Sequence, residues 1–279
     1  MTAGQIKPPV PYFGGKGIAA RRIAALLPEH GHYVEPYCGS LAVLLAKPAS
    51  RMETVNDLDR ALVTFWRVLR SRPAELARVC ALTPHSLAEF QDAEDVDEPA
   101  DELEAARRVW VRLSQGRAGT LRNTGWRHFV NPSNSAFGMP AYLDAYVGRI
   151  AAAAERLHRI SLECRPAVEL VDWYGRSPEV LLYIDPPYLR STRNSGAYRH
   201  EMTEQDHRDL AASLRQAKAS VVLSGYASDL YDLDLYAGWH RADFRSGTGQ
   251  NAETWGNRTE VLWSNRPFPQ ATLFDEVAG

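Results

Sequence analysis

The most constraining stretch of this 279-residue chain is an apolar run, Val180-Leu181-Leu182-Tyr183-Ile184, that ends in Asp185-Pro186-Pro187-Tyr188. Five consecutive apolar residues closed by a turn signal read as a strand buried on both faces, as in parallel sheets. Parallel strands need crossovers, usually helical, so the run points to an α/β architecture. The tetrapeptide that closes the strand is unusual for a core. The prolines remove two backbone donors and stiffen the loop, and Pro187 holds Pro186 extended. The Asp185 carboxylate, a backbone carbonyl and the Tyr188 ring are thereby fixed close together. Such a set suits a flat, amine-bearing ring, gripped at its edge by hydrogen bonds and stacked on its face. A strand-end turn with a surface tyrosine is the plainer alternative, and the neighbouring motifs decide between them.

The rest of the chain repeats the α/β rhythm with one interruption. Helices are expected over 18–27, 41–46 and 58–69, with strands at 32–34 and 53–55. Residues from about 71 to 160 then read as helices and polar loops without a convincing strand. Within them, Gly116 to Pro140 is a long loop and Ala141 to His158 one amphipathic helix, with Tyr142, Ala145, Tyr146, Ile150, Ala153 and Leu157 at helical spacing. Afterwards come a strand at 160–162, a helix at 167–174, the 180–184 strand, a helix at 203–217 N-capped by Thr203, and a strand at 220–224. Trp239 to Phe244 and Thr259 to Trp263 pair as an antiparallel hairpin. The expected fold class is therefore an open, mostly parallel α/β sheet with a C-terminal antiparallel hairpin and a helical insertion.

Composition is that of an ordinary globular protein, with 45% hydrophobic and 24% charged residues. No stretch has membrane-span length and the N-terminus lacks a signal-peptide layout, so no membrane partner and a cytoplasmic location are expected. Cys38, Cys80 and Cys164 are too far apart for a disulfide framework or a zinc site, and no metal is expected. The net charge of −2 conceals an asymmetry. No acid lies between Glu104 and Asp144, a stretch holding Arg107, Arg108, Arg112, Arg117, Arg122 and Arg127. A second acid-free stretch, Pro186 to His200, holds Arg190, Arg193 and Arg199. Either alone reads as a solvated face. Together they favour a polyanion, because guanidinium forks match phosphates and the interleaved Trp110, Trp126, His128 and Phe129 can stack on bases.

In open α/β sheets, ligands bind beyond the carboxyl ends of strands. Three features fall there. Glu35-Pro36-Tyr37-Cys38-Gly39-Ser40 follows a strand with a glycine turn and a helix start. Asn56-Asp57 follows the next strand, roughly twenty residues on, where an acid accepts from ribose hydroxyls; a helix N-cap is the equal alternative for Asp57. The third is the Asp185 loop. Upstream, Pro11-Tyr12-Phe13-Gly14-Gly15-Lys16-Gly17 lacks the spacing of a phosphate loop, so Lys16 reads as a cation for a ligand carboxylate.

Taken in order, Pro11 to Lys16, Glu35 to Gly39, Asn56-Asp57 and Asp185 to Tyr188 resemble the DNA adenine-N6 methyltransferases of the Dam-like (D12) class, especially phage-type members. Tyr198 to Met202, His207, Ser224-Gly225-Tyr226 and Thr259 to Trp263 are similar too. The resemblance implies a Rossmann-like methyltransferase sheet, with residues 1–70 and 160–279 forming the S-adenosylmethionine-binding catalytic domain. Residues 71–159 would be the DNA target-recognition insertion. It further implies that Tyr12, Gly14, Gly15, Lys16, Glu35, Pro36, Tyr37, Gly39, Asp57 and Asp185 contact the cofactor. Asp185, Pro186, Pro187 and Tyr188 would act on the adenine. Arg112, Arg117, Arg122, Trp126, Arg127, Arg190 and Arg193 are the residues expected on double-stranded DNA. Two departures stand out: Cys38-Gly39-Ser40 carries no second glycine, and Arg165-Pro166 replaces a customary acid, so no residue is assigned to the cofactor adenine. Rival expectations are a methyltransferase for RNA adenine or a protein amide, and a non-catalytic DNA-binding relative. An asparagine is usual in place of Asp185 in the protein-modifying relatives, so the aspartate favours adenine.

Overall fold

In the computed structural model, the residues described are 6–17, 19–94, 101–131, 138–192, 198–245 and 259–269. They form a seven-stranded sheet in the order β3-β2-β1-β4-β5-β7-β6. The strands are β1 (His32–Glu35), β2 (Met52–Asn56), β3 (Ser161–Glu163), β4 (Val180–Ile184), β5 (Ser220–Tyr226), β6 (His240–Arg245) and β7 (Thr259–Ser264). The first five run parallel, β7 lies antiparallel to β5, and β6 returns antiparallel on β7. This is the expected Rossmann-like sheet, mostly parallel with a C-terminal antiparallel hairpin. From β1 the chain winds outward to β2 and β3, then reverses to β4, so β1 and β4 flank the switch point where α/β sheets hold ligands.

β4 shows why the apolar run was decisive. All five of its residues are buried. Leu181 and Tyr183 enter the core cluster on one face of the sheet, whereas Val180, Leu182 and Ile184 enter the cluster on the other. Each fully buried aliphatic side chain contributes about 1.5–3 kcal/mol, so both layers of helices are anchored on this strand. One layer holds α9 (Ala167–Tyr174) and α10 (Glu204–Gln216), which pack together. α10 opens with a reciprocal capping box between Thr203 and Asp206.

The other layer begins with α1 (Ala20–Ala25), α2 (Ala42–Ala46) and α3 (Arg60–Ser71) and continues into the insertion. There α4 (Pro73–Leu82), α5 (Leu87–Asp92), α6 (Glu102–Gln115), α7 (Gly138–Val147) and α8 (Ile150–Leu157) fill the β2-to-β3 crossover. Insertion residues Val109, Trp110, Leu113 and Ile150 share one apolar cluster with Tyr33, Leu44, Phe65 and Trp66. The insertion is thus a thickening of the sheet's helical layer rather than a globule with its own core.

Two sequence expectations change. The single helix at 141–158 is two helices, broken at Gly148-Arg149. Glycine weakens a helix by roughly 1 kcal/mol relative to alanine, and Arg149 is drawn aside to the Pro8 carbonyl (3.1 Å) while stacking over Tyr146. Within the expected Gly116–Pro140 loop, residues 116–126 carry backbone pairing that a polar run does not suggest, and the last three residues, Gly138 to Pro140, already belong to α7. A bridge pairs Gly116 with Trp126, and Arg117 N–H donates to the Gly125 carbonyl at 3.0 Å.

Candidate active site

The site begins where β1 ends. Gly39 takes φ +43°, and a Cβ there would lie 3.0 Å from Cε1 of the Tyr12 ring, so only glycine lets Tyr12 lie against this turn. Two residues on, Leu41 has φ +60°, the only positive φ of a non-glycine residue among the described residues. A left-handed leucine costs about 1–2 kcal/mol and persists only if its surroundings over-determine it. The surroundings do so. Asp57 Oδ2 accepts the Gly39 N–H at 3.1 Å, Trp66 donates its indole N–H to the Gly39 carbonyl at 3.1 Å, and Cys38 N–H bonds to the Asn56 carbonyl at 2.9 Å.

Asn56 ties three strand ends together. Its amide donates to the carbonyls of Pro36 (2.9 Å) and Arg165 (3.0 Å) and accepts the Arg165 N–H at 2.9 Å. Asp57, next along, is a clamp: one oxygen accepts from Gly39 and the other from Asp59 N–H at 3.0 Å. The helix N-cap is instead Asp59, which accepts from Ala61 N–H. Where the customary acid is replaced by Arg165-Pro166, the wall is apolar, made by Pro166, Ala167 and Val168.

The second half of the site lies beyond β4. The Lys16 ammonium stands 2.8 Å from Asp185 Oδ1, 3.0 Å from Glu260 Oε1 and 3.1 Å from the Gly14 carbonyl. An ammonium has three hydrogens, and three protein acceptors use them. Lys16 is therefore not the cation for a ligand carboxylate that its loop suggested; it is a structural counter-ion for two acids. Tyr188 also differs from expectation. Its hydroxyl bonds to Glu260 (2.6 Å) and Ser224 (2.9 Å), its ring packs edge-on against Tyr226, and Lys16 sits 4.8 Å over it. A buried phenol needs partners for its O–H, and that need turns Tyr188 inward, behind Asp185. Pro186 is buried as well.

Both halves open into one cavity of about 300 Å³, within the range of small-molecule sites. The first loop contributes Tyr12, Gly14, Gly15 and Lys16; the end of β1 contributes Glu35, Pro36, Tyr37 and Gly39. Asp57, Asp185 and Pro187 complete the expected set; Pro186 and Tyr188 do not line it. Residues that sequence reasoning had not placed in the site lie across from them, in 198–202. Tyr198 packs edge-on against Phe13, and Arg199 pairs with Asp59 at 3.1 Å. Their signal in the sequence was the family-like run Tyr198 to Met202. Glu260 lay in the family-like run Thr259 to Trp263, though without an assigned role, and Trp66 had no local signal.

Burial dominates the electrostatics. It pushes Asp185 up to about 6, against the pull of Lys16 and with the push of Glu260. It raises Asp57 to about 6, opposed by the N–H groups of Asp59 and Gly39. Glu35, buried and accepting the Tyr33 hydroxyl at 2.9 Å, rises to about 8 and is neutral at pH 7. Burial would lower Lys16, but Asp185 and Glu260 more than compensate and hold it firmly charged. Burial would raise Glu260, yet Lys16 and the hydrogen bonds from Tyr188 and Ser224 keep it below its usual value. The cavity thus offers a tyrosine ring, a turn open to close approach, an apolar wall and acids in different states, a set suited to a nucleoside joined to an amino acid.

The residues expected on DNA divide into five groups. Arg117, Arg122 and Arg190 are exposed. Trp126 is sandwiched between His85 and His128, with ring centroids 4.5 and 5.2 Å away. Arg127 is partly committed, donating to the Tyr142 hydroxyl at 2.6 Å and to the Arg117 carbonyl at 3.0 Å. Arg112 is a correction: at 1% exposure it cannot meet DNA, because it stacks 4.2 Å over Phe90 and donates to the Phe90 carbonyl inside the insertion core. Arg193 lies outside the described residues. The arginine loop touches the cavity's rim directly, through Phe13 N–H to the Gly119 carbonyl at 2.7 Å.

Comparison with known proteins places this geometry. Among solved structures, a methyltransferase from Geobacter sulfurreducens is 11% identical, with 91% of this chain and 80% of that one covered and a TM-score of 0.38. The rRNA methyltransferase aviRa from Streptomyces viridochromogenes is 16% identical, covers 95% and 91%, and has a TM-score of 0.39. At such scores the likeness is loose, and nothing is drawn from it. No curated protein matches the sequence. The family model of the D12 class N6 adenine-specific DNA methyltransferases, however, matches residues 12–243, which hold the glycine turn, Asp57, the whole insertion and the Asp185 loop. The chain belongs to that family and is an enzyme that methylates adenine N6 in DNA with a methyl donor of the S-adenosylmethionine type.

Proposed function

We propose that the cavity binds S-adenosylmethionine and an extruded adenine side by side, and that Asp185 holds the adenine's amine for methylation at a specific double-stranded sequence. The observation that supports this most directly is the placement of Asp185. It stands at the carboxyl end of β4, on the switch point, with its side chain 18% exposed to a cavity shared with Tyr12, Gly39 and Asp57. On this reading Tyr12, Gly14, Gly15, Glu35, Pro36, Tyr37, Gly39 and Asp57 hold the cofactor. Asp57, tied to two main-chain N–H groups, keeps lone pairs for ribose hydroxyls. The bound cofactor supplies an electrophilic methyl carbon on a sulfonium.

Adenine's amine is a poor nucleophile because its lone pair is delocalised into the ring. Asp185, which lines the cavity, accepts a hydrogen of that amine, helping the nitrogen to pyramidalise and aim its lone pair. As the N–C bond forms and the S–C bond breaks, positive charge grows on the nitrogen, and the Asp185 carboxylate stabilises it. The amine then loses one hydrogen as a proton to the solvent. Because the amine lies within a duplex, the base must be flipped out, at a cost of a few kcal/mol. Arg117, Arg122, Arg127 and Arg190, with the Trp126 stack, hold the backbone or read bases during that step.

The test is Asp185→Ala. Methyl incorporation into a DNA duplex should fall at least a thousandfold, while duplex affinity stays within about threefold of the unmutated enzyme. Incorporation near the unmutated level would end the reading.

A further inference from the structure

Lys16 has one positive charge and two carboxylates to satisfy. Asp185 Oδ1 is 2.8 Å away and Glu260 Oε1 3.0 Å, so neither acid owns the ammonium. The two acids differ in what else they face. Asp185 lines the cavity, whereas Glu260 does not and its side chain is only 7% exposed. Glu260 is also pinned: it accepts hydrogen bonds from the Tyr188 hydroxyl at 2.6 Å and the Ser224 hydroxyl at 2.9 Å, and on β7 it pairs opposite Tyr226 of β5. Its orientation therefore does not depend on Lys16.

Resting on the reading of Asp185 given above, we infer that Glu260 is a positioning residue for methyl transfer, which divides the Lys16 charge and keeps Asp185 a strong acceptor for the substrate amine. A carboxylate alone with a buried ammonium gives its lone pairs to that partner, and a neutral N–H competes poorly for them. Sharing loosens this hold. It also leaves Lys16, Asp185 and Glu260 with one net negative charge, placed where positive charge develops on the amine nitrogen and screened little by water. Two acids on one cation thus form a device, where one acid would form an inert ion pair.

Other ionisable groups face the cluster, and none titrates where Asp185 does. Glu35, from the end of β1, titrates near 8. Tyr183 on β4 and Tyr188 are pushed up by burial, well above the ordinary phenol range. Tyr198 approaches Lys16 from the covering segment and acts to raise it. Asp57 of the same cavity also titrates near 6 but has neither Lys16 nor Glu260 as a partner. The part of the acid limb that moves when Glu260 or Lys16 is replaced therefore reports Asp185, whose carboxylate is the active form.

The test is a single-turnover pH profile with S-adenosylmethionine and a cognate DNA duplex. Glu260→Gln keeps an acceptor for Tyr188 and Ser224 but releases Lys16 onto Asp185. Its acid limb, near pH 6 in the unmutated enzyme, should move down by about one pH unit, and its plateau rate should fall about tenfold. Lys16→Gln should move the limb the opposite way, because Glu260 then repels Asp185 directly; this arm decides the matter if Glu260→Gln fails to fold. An unmoved limb in a folded variant of either kind overturns the inference. Asp185→Asn separates the two levels: if it still methylates, the underlying reading of Asp185 falls; if it is inactive while the Glu260→Gln limb is unmoved, only the role of Glu260 falls.

Discussion

Asp57 and Asp185 sit just beyond two parallel strands of one sheet and line one cavity, and burial brings both to about the same value near 6. They are held by opposite means. Asp57 is fixed by main-chain N–H groups of Gly39 and Asp59, which cannot leave without unmaking the turn. Asp185 is held by an ammonium that a second acid also claims. The first arrangement makes a rigid cradle; the second leaves an acceptor whose strength depends on how its counter-ion is shared. A site that must hold one molecule still and activate another has reason to use both.

The largest effect that probes this contrast comes from Asp57→Ala. It leaves two N–H groups of the turn without their acceptor, and charged hydrogen bonds of this kind are worth about 1.5–3 kcal/mol. Cofactor affinity, measured by calorimetry, should fall about 100-fold, while the rate at saturating cofactor stays within about threefold. A variant as inactive at saturation as Asp185→Ala would erase the distinction between the two acids.

Glu35, between the halves, gives an intermediate effect with a definite sign. Its folded value, near 8, lies above its unfolded one, so the native state holds a proton that the unfolded chain releases. Stability from this group is full below the unfolded value and is lost as pH rises towards 8. Glu35→Gln should therefore melt higher than the unmutated protein at pH 8, with the gap shrinking as the pH approaches 4.5. A gap independent of pH would show that Glu35 is ionised in the native state.

The smallest effect expected is that of Trp66→Phe. It keeps an aromatic ring but loses the bond to the Gly39 carbonyl, and should weaken cofactor binding about fivefold, as one neutral hydrogen bond allows. No change would mean that Asp57 and Tyr12 hold the turn unaided.

Much of this was legible in the sequence because strand-end chemistry is local. Gly39, Asp57 and Asp185 each follow an apolar or β-branched run within a few residues, and the topology then brings those ends together. What was not legible depends on partners distant in the chain. Lys16 looked available for a ligand because Glu260 lies on the last strand. Tyr188 looked free to stack because its hydroxyl's partners are on β5 and β7. Arg112 was misplaced for a different reason. A charge count treats every arginine as solvated, yet Val109-Trp110-Val111 and Leu113 flank this one, and every residue from Val109 to Gln115 is buried. The apolar flanks were the available sign. The break at Gly148 was visible in the same way, as a glycine inside an otherwise regular helical pattern.

On the proposed reading, in which the insertion's arginines recognise DNA, the bond from Phe13 to Gly119 has a practical meaning for altering which sequence the enzyme marks. It stitches the insertion to the rim of the cavity, and the insertion's hydrophobic residues are mortared into the layer beneath. A recognition segment grafted from a relative would have to reproduce both the stitch and that shared packing. Exchange of the exposed arginines alone leaves both intact and is the gentler route to a new target.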